Sequence, residues 1–146
     1  RLLKPTDLII NVELKTGVIF YEGIEEKLIL LAKKLDMEDR IIYSSFNHYS
    51  LLNLRNINKD VKIGLLVSDI YLGVLDYAVN FGADALHPIC HMLKLPGFIE
   101  ESKSKNMKLH VWTIDNEEEI KLLNEQGIDA IITNKPVTAR KAIGRL

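Results

Sequence analysis

Short apolar runs alternate along this chain with longer stretches in which apolar residues return every three or four positions. The first run, Leu8-Ile9-Ile10-Asn11-Val12-Glu13-Leu14, is bounded by Asp7 and Thr16-Gly17 and reads as a strand buried on both faces. Ile24, Leu28, Leu31 and Leu35 then recur at helical spacing. Glu25, Glu26, Lys27, Lys33 and Lys34 are left to face water, which predicts a helix over 24–35. The same pair of signals repeats along the rest of the chain. Strands are predicted at 40–46, 62–67, 83–88, 108–114 and 130–133, and helices at 49–56, 71–81, 96–105, 117–126 and 137–143. Pro88 ends the fourth strand. Pro96 is expected near the first turn of the next helix, and Gly127 is expected to stop the fifth helix.

Strict alternation of strand and helix implies parallel strands joined by crossover helices. The predicted strand ends fall near Glu13, Phe46, Val67, His87, Trp112 and Thr133. Two architectures fit: a doubly wound open sheet and a (β/α)8 barrel. A complete barrel needs eight strands and typically about 250 residues. This chain has 146 residues and about six βα units. Polar residues at the strand ends along the chain favour the barrel. The expected fold is therefore α/β, an incomplete (β/α)8 TIM barrel over a single domain, 1–146.

Composition narrows the class without naming a function. Nineteen basic residues face twenty acidic ones, for a net charge of -1. No basic stripe stands out, so no nucleic-acid partner is expected. No stretch is long and apolar enough to span a bilayer. Cys90 is the lone cysteine and cannot build an intrachain disulfide framework, which fits a reducing, cytoplasmic setting. The chain opens at Arg1, and Leu2-Leu3-Lys4-Pro5 reads as the tail of a helix entering a turn. Further sequence is expected upstream.

The candidate chemistry begins on the first strand. Strand side chains alternate faces, so Asn11, Glu13 and Lys15 share one face. A carboxylate buried there would cost several kcal/mol, of order 3–5, unless paired or bound to a metal. A structural Glu13–Lys15 ion pair is one reading. An active-site pair is the other, because strand C-terminal ends host active sites in parallel α/β folds. Ser44-Ser45-Phe46 adds hydroxyls and an aromatic wall, but no base is placed beside the serines. His87 is a pocket candidate. His87-Pro88-Ile89-Cys90-His91 invites a metal reading, but Pro88 disfavours helix at His87 and no zinc site is expected. His48 is expected to shape a loop or cap the next helix, and His110 to be a core residue. Trp112 reads equally as packing or as a rim for the apolar part of a substrate. Glycine-rich phosphate loops are absent from the sequence.

Taken in order, several segments resemble the glycerophosphodiester phosphodiesterase family. They are Asn11-Val12-Glu13-Leu14-Lys15, Ser44-Ser45-Phe46, Gly64-Leu65-Leu66, Leu86-His87-Pro88, Val111-Trp112-Thr113-Ile114 and Gly127-Ile128-Asp129-Ala130-Ile131-Ile132-Thr133. The resemblance implies a TIM barrel that hydrolyses glycerophosphodiesters to glycerol 3-phosphate and an alcohol, with a divalent ion, Ca2+ or Mg2+. It implies that Glu13 is a metal ligand and that Lys15 contacts the substrate phosphate. Phe46 and Trp112 would line the pocket, with His87 near its rim. The family's His-Arg-Gly strand, Glu-Asn-Thr motif, Glu-x-Asp strand and His-Asp strand end do not occur here. The chain thus looks like the C-terminal portion of a member, with its general acid and base histidines expected upstream and no catalytic residue of its own. The fragment alone is expected to be inactive. Two alternatives stay open: a non-catalytic degenerate barrel or assembly protein whose strand edges at 8–14 and 130–133 pair with a second copy, and a phospholipase-type relative with another substrate.

Overall fold

The computed structural model describes residues 2–145. The chain divides into two compact units, Arg1–Leu65 and Leu66–Leu146, with the division inside its third strand.

The first unit contains β1 (Ile10–Glu13), α1 (Ile24–Lys34), a 3-10 turn (Glu38–Arg40), β2 (Ile41–Ser45), α2 (His48–Ile57) and the start of β3 (Lys62–Val67). β1 and β2 are parallel, with Ile10 opposite Ile41 and Glu13 opposite Ser44. β2 and β3 are parallel too, with Ser44 opposite Gly64. The core lies between strands and helices, where Leu51, Leu54, Ile63 and Leu65 are fully buried. β1 departs from the expected doubly buried strand. Leu8 and Ile9 lie outside it and are exposed, and within it half-buried and exposed residues alternate. Among the described residues β1 pairs with β2 on one side, and its outer edge carries no covering strand. The apolar stripe of α1 is also shifted. Ala32 is buried, whereas Leu31 is 51% exposed.

Several hydrogen bonds pin the exit of β1 to β2 and α2. The Ser45 hydroxyl donates to the Leu14 carbonyl at 2.6 Å. The Asn47 amide Nδ2 donates to the Thr16 carbonyl at 3.0 Å, and the Thr16 and Ser50 hydroxyls meet at 2.7 Å. Asn47 also caps α2, its Oδ1 accepting from the Tyr49 N–H at 3.1 Å. The cap is therefore Asn47, and His48 is the first helical residue. Replacing Asn47 by alanine removes the cap and frees the Thr16 carbonyl. Chemical denaturation is expected to show a loss of about 1–2 kcal/mol.

The second unit holds the end of β3, α3 (Val74–Phe81), β4 (Ala85–Pro88), a 3-10 turn (Cys90–Lys94), α4 (Phe98–Ser104), β5 (Lys108–Trp112), α5 (Glu117–Glu125), β6 (Ala130–Ile132) and α6 (Pro136–Ala142). β4, β5 and β6 are successive parallel neighbours. Leu75, Leu86, Leu109, Val111 and Ile120 form the core. The helix predicted from Pro96 starts at Phe98 instead. Gly97 adopts a left-handed φ of 76° at its N-cap, which places Pro96 outside the helix. Gly127 ends the α5 segment as expected, its N–H donating to the Asn124 carbonyl at 3.1 Å. No helix among the described residues is long and apolar enough to cross a membrane.

Candidate functional site

In the first unit, alternation along β1 puts Asn11, Glu13 and Lys15 on one face, and the structure joins the last two. Lys15 Nζ donates to Glu13 Oε1 at 2.7 Å. The side chains are 80% and 33% exposed, respectively. The pair is thus not the buried one the apolar run suggested. An ion pair this open is worth about 0–1 kcal/mol. It can exchange partners at little cost, which suits a group that must meet a charged ligand. Beside Glu13, the hydroxyl of Ser44 is buried with no hydrogen-bond partner. Ser44 and Ser45 are fully buried. Phe46, just past β2, is 50% exposed.

In the second unit, His87 does not sit at a rim. It is fully buried, and its ring stacks on that of His110 with centroids 4.7 Å apart. The reason is tertiary: β4 and β5 pair so that the two residues stand side by side. Neither His87 ring nitrogen has a hydrogen-bond partner. Burial, with a smaller push from His110, lowers the His87 pKa to about 3. His110 is lowered as well, by burial first, against the opposing pull of Asp129. The Trp112 indole N–H donates to the His87 carbonyl at 2.8 Å, which ties that edge of the ring to β4.

Asp115 was not expected. Its carboxylate accepts from the Thr133 hydroxyl at 2.8 Å and from the Asn134 N–H and Nδ2 at 2.8 and 2.9 Å. It thereby ties the exit of β5 to that of β6. The Asn134 and Thr133 hydrogen bonds hold its pKa below the usual carboxylate value. The sequence signal was faint: an aspartate just past one strand and a Thr-Asn just past the next.

Cys90 Sγ and His91 Nδ1 lie 3.6 Å apart. Among the described residues, no three His, Cys, Asp or Glu side chains converge closely enough to hold a metal ion. Glu13 supplies one carboxylate, already met by an ammonium. A Ca2+ ion takes six to eight oxygen ligands, on the order of a whole shell of carboxylates, carbonyls and waters. The described residues do not make that site by themselves.

The pattern of the glycerophosphoryl diester phosphodiesterase family matches residues 5–138. A glycerophosphodiester phosphodiesterase of Caldanaerobacter subterraneus is 38% identical over 138 residues, covering 94% of this chain and 56% of that protein. The chain spans about half the length of the curated relatives it matches. A solved structure from Galdieria sulphuraria superimposes with a TM-score of 0.84 at 27% identity, over 94% of this chain and 57% of that one. A Parabacteroides distasonis glycerophosphodiester phosphodiesterase gives a TM-score of 0.80 at 19% identity, over 99% of this chain and 60% of that one. The fold is an incomplete (β/α)8 barrel, with six strands among the described residues, and the doubly wound alternative is set aside.

Proposed function

Because the chain belongs to the glycerophosphoryl diester phosphodiesterase family, we propose that it forms part of a hydrolase cleaving glycerophosphodiesters to glycerol 3-phosphate and an alcohol. The observation that carries this reading is the open Glu13–Lys15 pair at the C-terminal end of β1, the end at which such folds place their chemistry. Lys15 Nζ swings from Glu13 to a phosphate oxygen and stabilises the charge that builds there. Glu13 is released by the same movement. Glu13 would be one carboxylate ligand of a divalent ion, Ca2+ or Mg2+, whose chemistry when bound would be to polarise the phosphoryl group. Phe46, half-exposed just past β2 in the same unit as Glu13 and Lys15, offers carbon surface to the substrate's glycerol or alcohol portion. Ser45, Asn47, Thr16 and Ser50 hold the strand exit that carries the pair.

The described residues contain no complete catalytic set in this reading, so the 146-residue chain alone is expected not to turn over. The test joins it to the portion of the Caldanaerobacter relative that it does not match. Glycerol 3-phosphate release from glycerophosphoethanolamine should appear in the folded chimera and vanish with chelator. A chimera that folds like the parent relative yet releases none sinks the proposal. Activity indifferent to chelator removes the metal role of Glu13.

A further inference from the structure

Two serines follow one another at the end of β2, and their hydroxyls fare differently. Ser45 spends its hydroxyl on the Leu14 carbonyl, at 2.6 Å. Ser44 is 0% exposed, and its Oγ has no hydrogen-bond partner among the described residues. A buried hydroxyl left unpaired carries the full desolvation cost of the group. An alanine in its place would escape that cost. Such an orphan is accounted for when its partner arrives in another state of the site.

The strand register points to that partner. Ser44 lies opposite Glu13 on β1 and opposite Gly64 on β3. The Leu14 N–H donates to the Ser44 carbonyl at 2.7 Å, which fixes the register at the strand exit. Register partners on parallel strands carry their side chains to the same face, with backbones about 4.8 Å apart. Gly64 brings no side chain to one flank of Ser44. On the other flank, the Glu13 side chain is long enough to carry its carboxylate across that gap. Here the carboxylate faces Lys15, whose Nζ donates to Oε1 at 2.7 Å. Glu13 is 33% exposed at its side chain whereas Ser44 is sealed, so a dissolved ligand reaches the Glu13–Lys15 pair and not the hydroxyl.

We propose that Ser44 is a positioning residue: its hydroxyl takes up the Glu13 carboxylate when Lys15 leaves it for an anionic oxygen of the substrate. This role rests on the hydrolase reading, in which Lys15 moves to phosphate. The proton stays on Ser44 Oγ throughout, and only the carboxylate changes its donor. Without the serine, the departing ammonium would leave Glu13 free to follow it. With the serine, the carboxylate keeps one orientation at the strand exit, and a hydrogen bond to a charged acceptor forms where a buried orphan stood.

A double-mutant cycle on the 146-residue chain, read by urea denaturation, tests the contact without any hydrolysis. Lys15→Met stands in for the departed ammonium. In the parent, Ser44→Ala should leave the folding equilibrium constant unchanged or raise it, because it removes an unpaired hydroxyl. In the Lys15→Met background the same change should lower that constant by about 5- to 10-fold, the worth of one hydrogen bond to the freed carboxylate. In the chimera, Ser44→Ala should lower kcat/KM by about 10-fold, and Ser44→Thr, which keeps the hydroxyl, should recover part of it. The cycle needs only truncations, so it stands even where the bulkier threonine does not fold. Additive stabilities in the cycle overturn the proposal whatever the chimera does. So does an active chimera whose kcat/KM is unchanged by Ser44→Ala. Coupling in the cycle beside an inactive parent chimera upholds the Ser44–Glu13 contact and strikes the hydrolase reading instead.

Discussion

Replacing Lys15 by methionine is expected to lower kcat/KM for glycerophosphodiester hydrolysis by about 10²- to 10³-fold in the chimera, the usual effect of removing one preorganised donor from a developing oxyanion. The methionine keeps the stem and loses the charge. The loss should fall mainly on kcat if the ammonium strengthens its hold as charge accumulates on the phosphoryl oxygens, and mainly on KM if it only docks the phosphate. Lys15→Arg should recover part of the activity, because charge at that point matters more than ammonium shape. Folding stability should change by no more than about 1 kcal/mol, because the pair is open to water. A Lys15→Met enzyme of unchanged kcat/KM would show the pair to be ornamental to the reaction. The small stability change separates this outcome from misfolding.

The second large effect is a loss of stability in mild acid that travels with His87. Its imidazole titrates near 3 in the fold, against an ordinary value of 6.5, because burial strips its hydration and His110 stands beside it. Above pH 6.5 neither the folded nor the unfolded chain protonates it, and it contributes nothing to pH dependence. Below that, the unfolded chain takes up a proton that the fold refuses. Stability therefore falls as pH drops from about 6.5 towards 3, by about 2 kcal/mol between pH 7 and pH 5. Urea denaturation at the two pH values measures the difference. His87→Leu removes both the titration and two unpaired ring nitrogens at similar volume. Its stability should fall less on acidification by that same amount. If the leucine variant loses as much as the parent, His87 is not the group responsible.

Much of the scaffold was legible because it is written in short periods. Ile63–Val67 carries an uninterrupted apolar sequence, and the strand Lys62–Val67 contains it, with Lys62 exposed at its start. Its burial pattern follows directly, since a strand covered on both faces needs no polar side. Element ends were less legible. The helix predicted from Tyr71 begins at Val74, because Gly73 takes a left-handed φ of 74° just before it. The Ser45, Asn47, Thr16 and Ser50 bonds could not be read at all. They join residues more than thirty positions apart that become neighbours only when β2 lies against β1.

The same division runs through the candidate sites. That Glu13 and Lys15 face the same way is already written in the chain, since it follows from the two-residue period of any strand. So is the alternation of strands and helices, a local matter of where apolar side chains recur. What those side chains meet depends on packing between distant segments. Glu13 and Lys15 lie open because, among the described residues, β1 has a strand neighbour on one side alone. His87 is sealed because pairing of β4 with β5 sets His110 against it. Tyr43, an ordinary strand tyrosine in the sequence, is buried because α1 and the 3-10 turn close over it. Side-chain direction is fixed by the backbone of one segment, whereas solvation and partners are fixed by segments that only folding brings together.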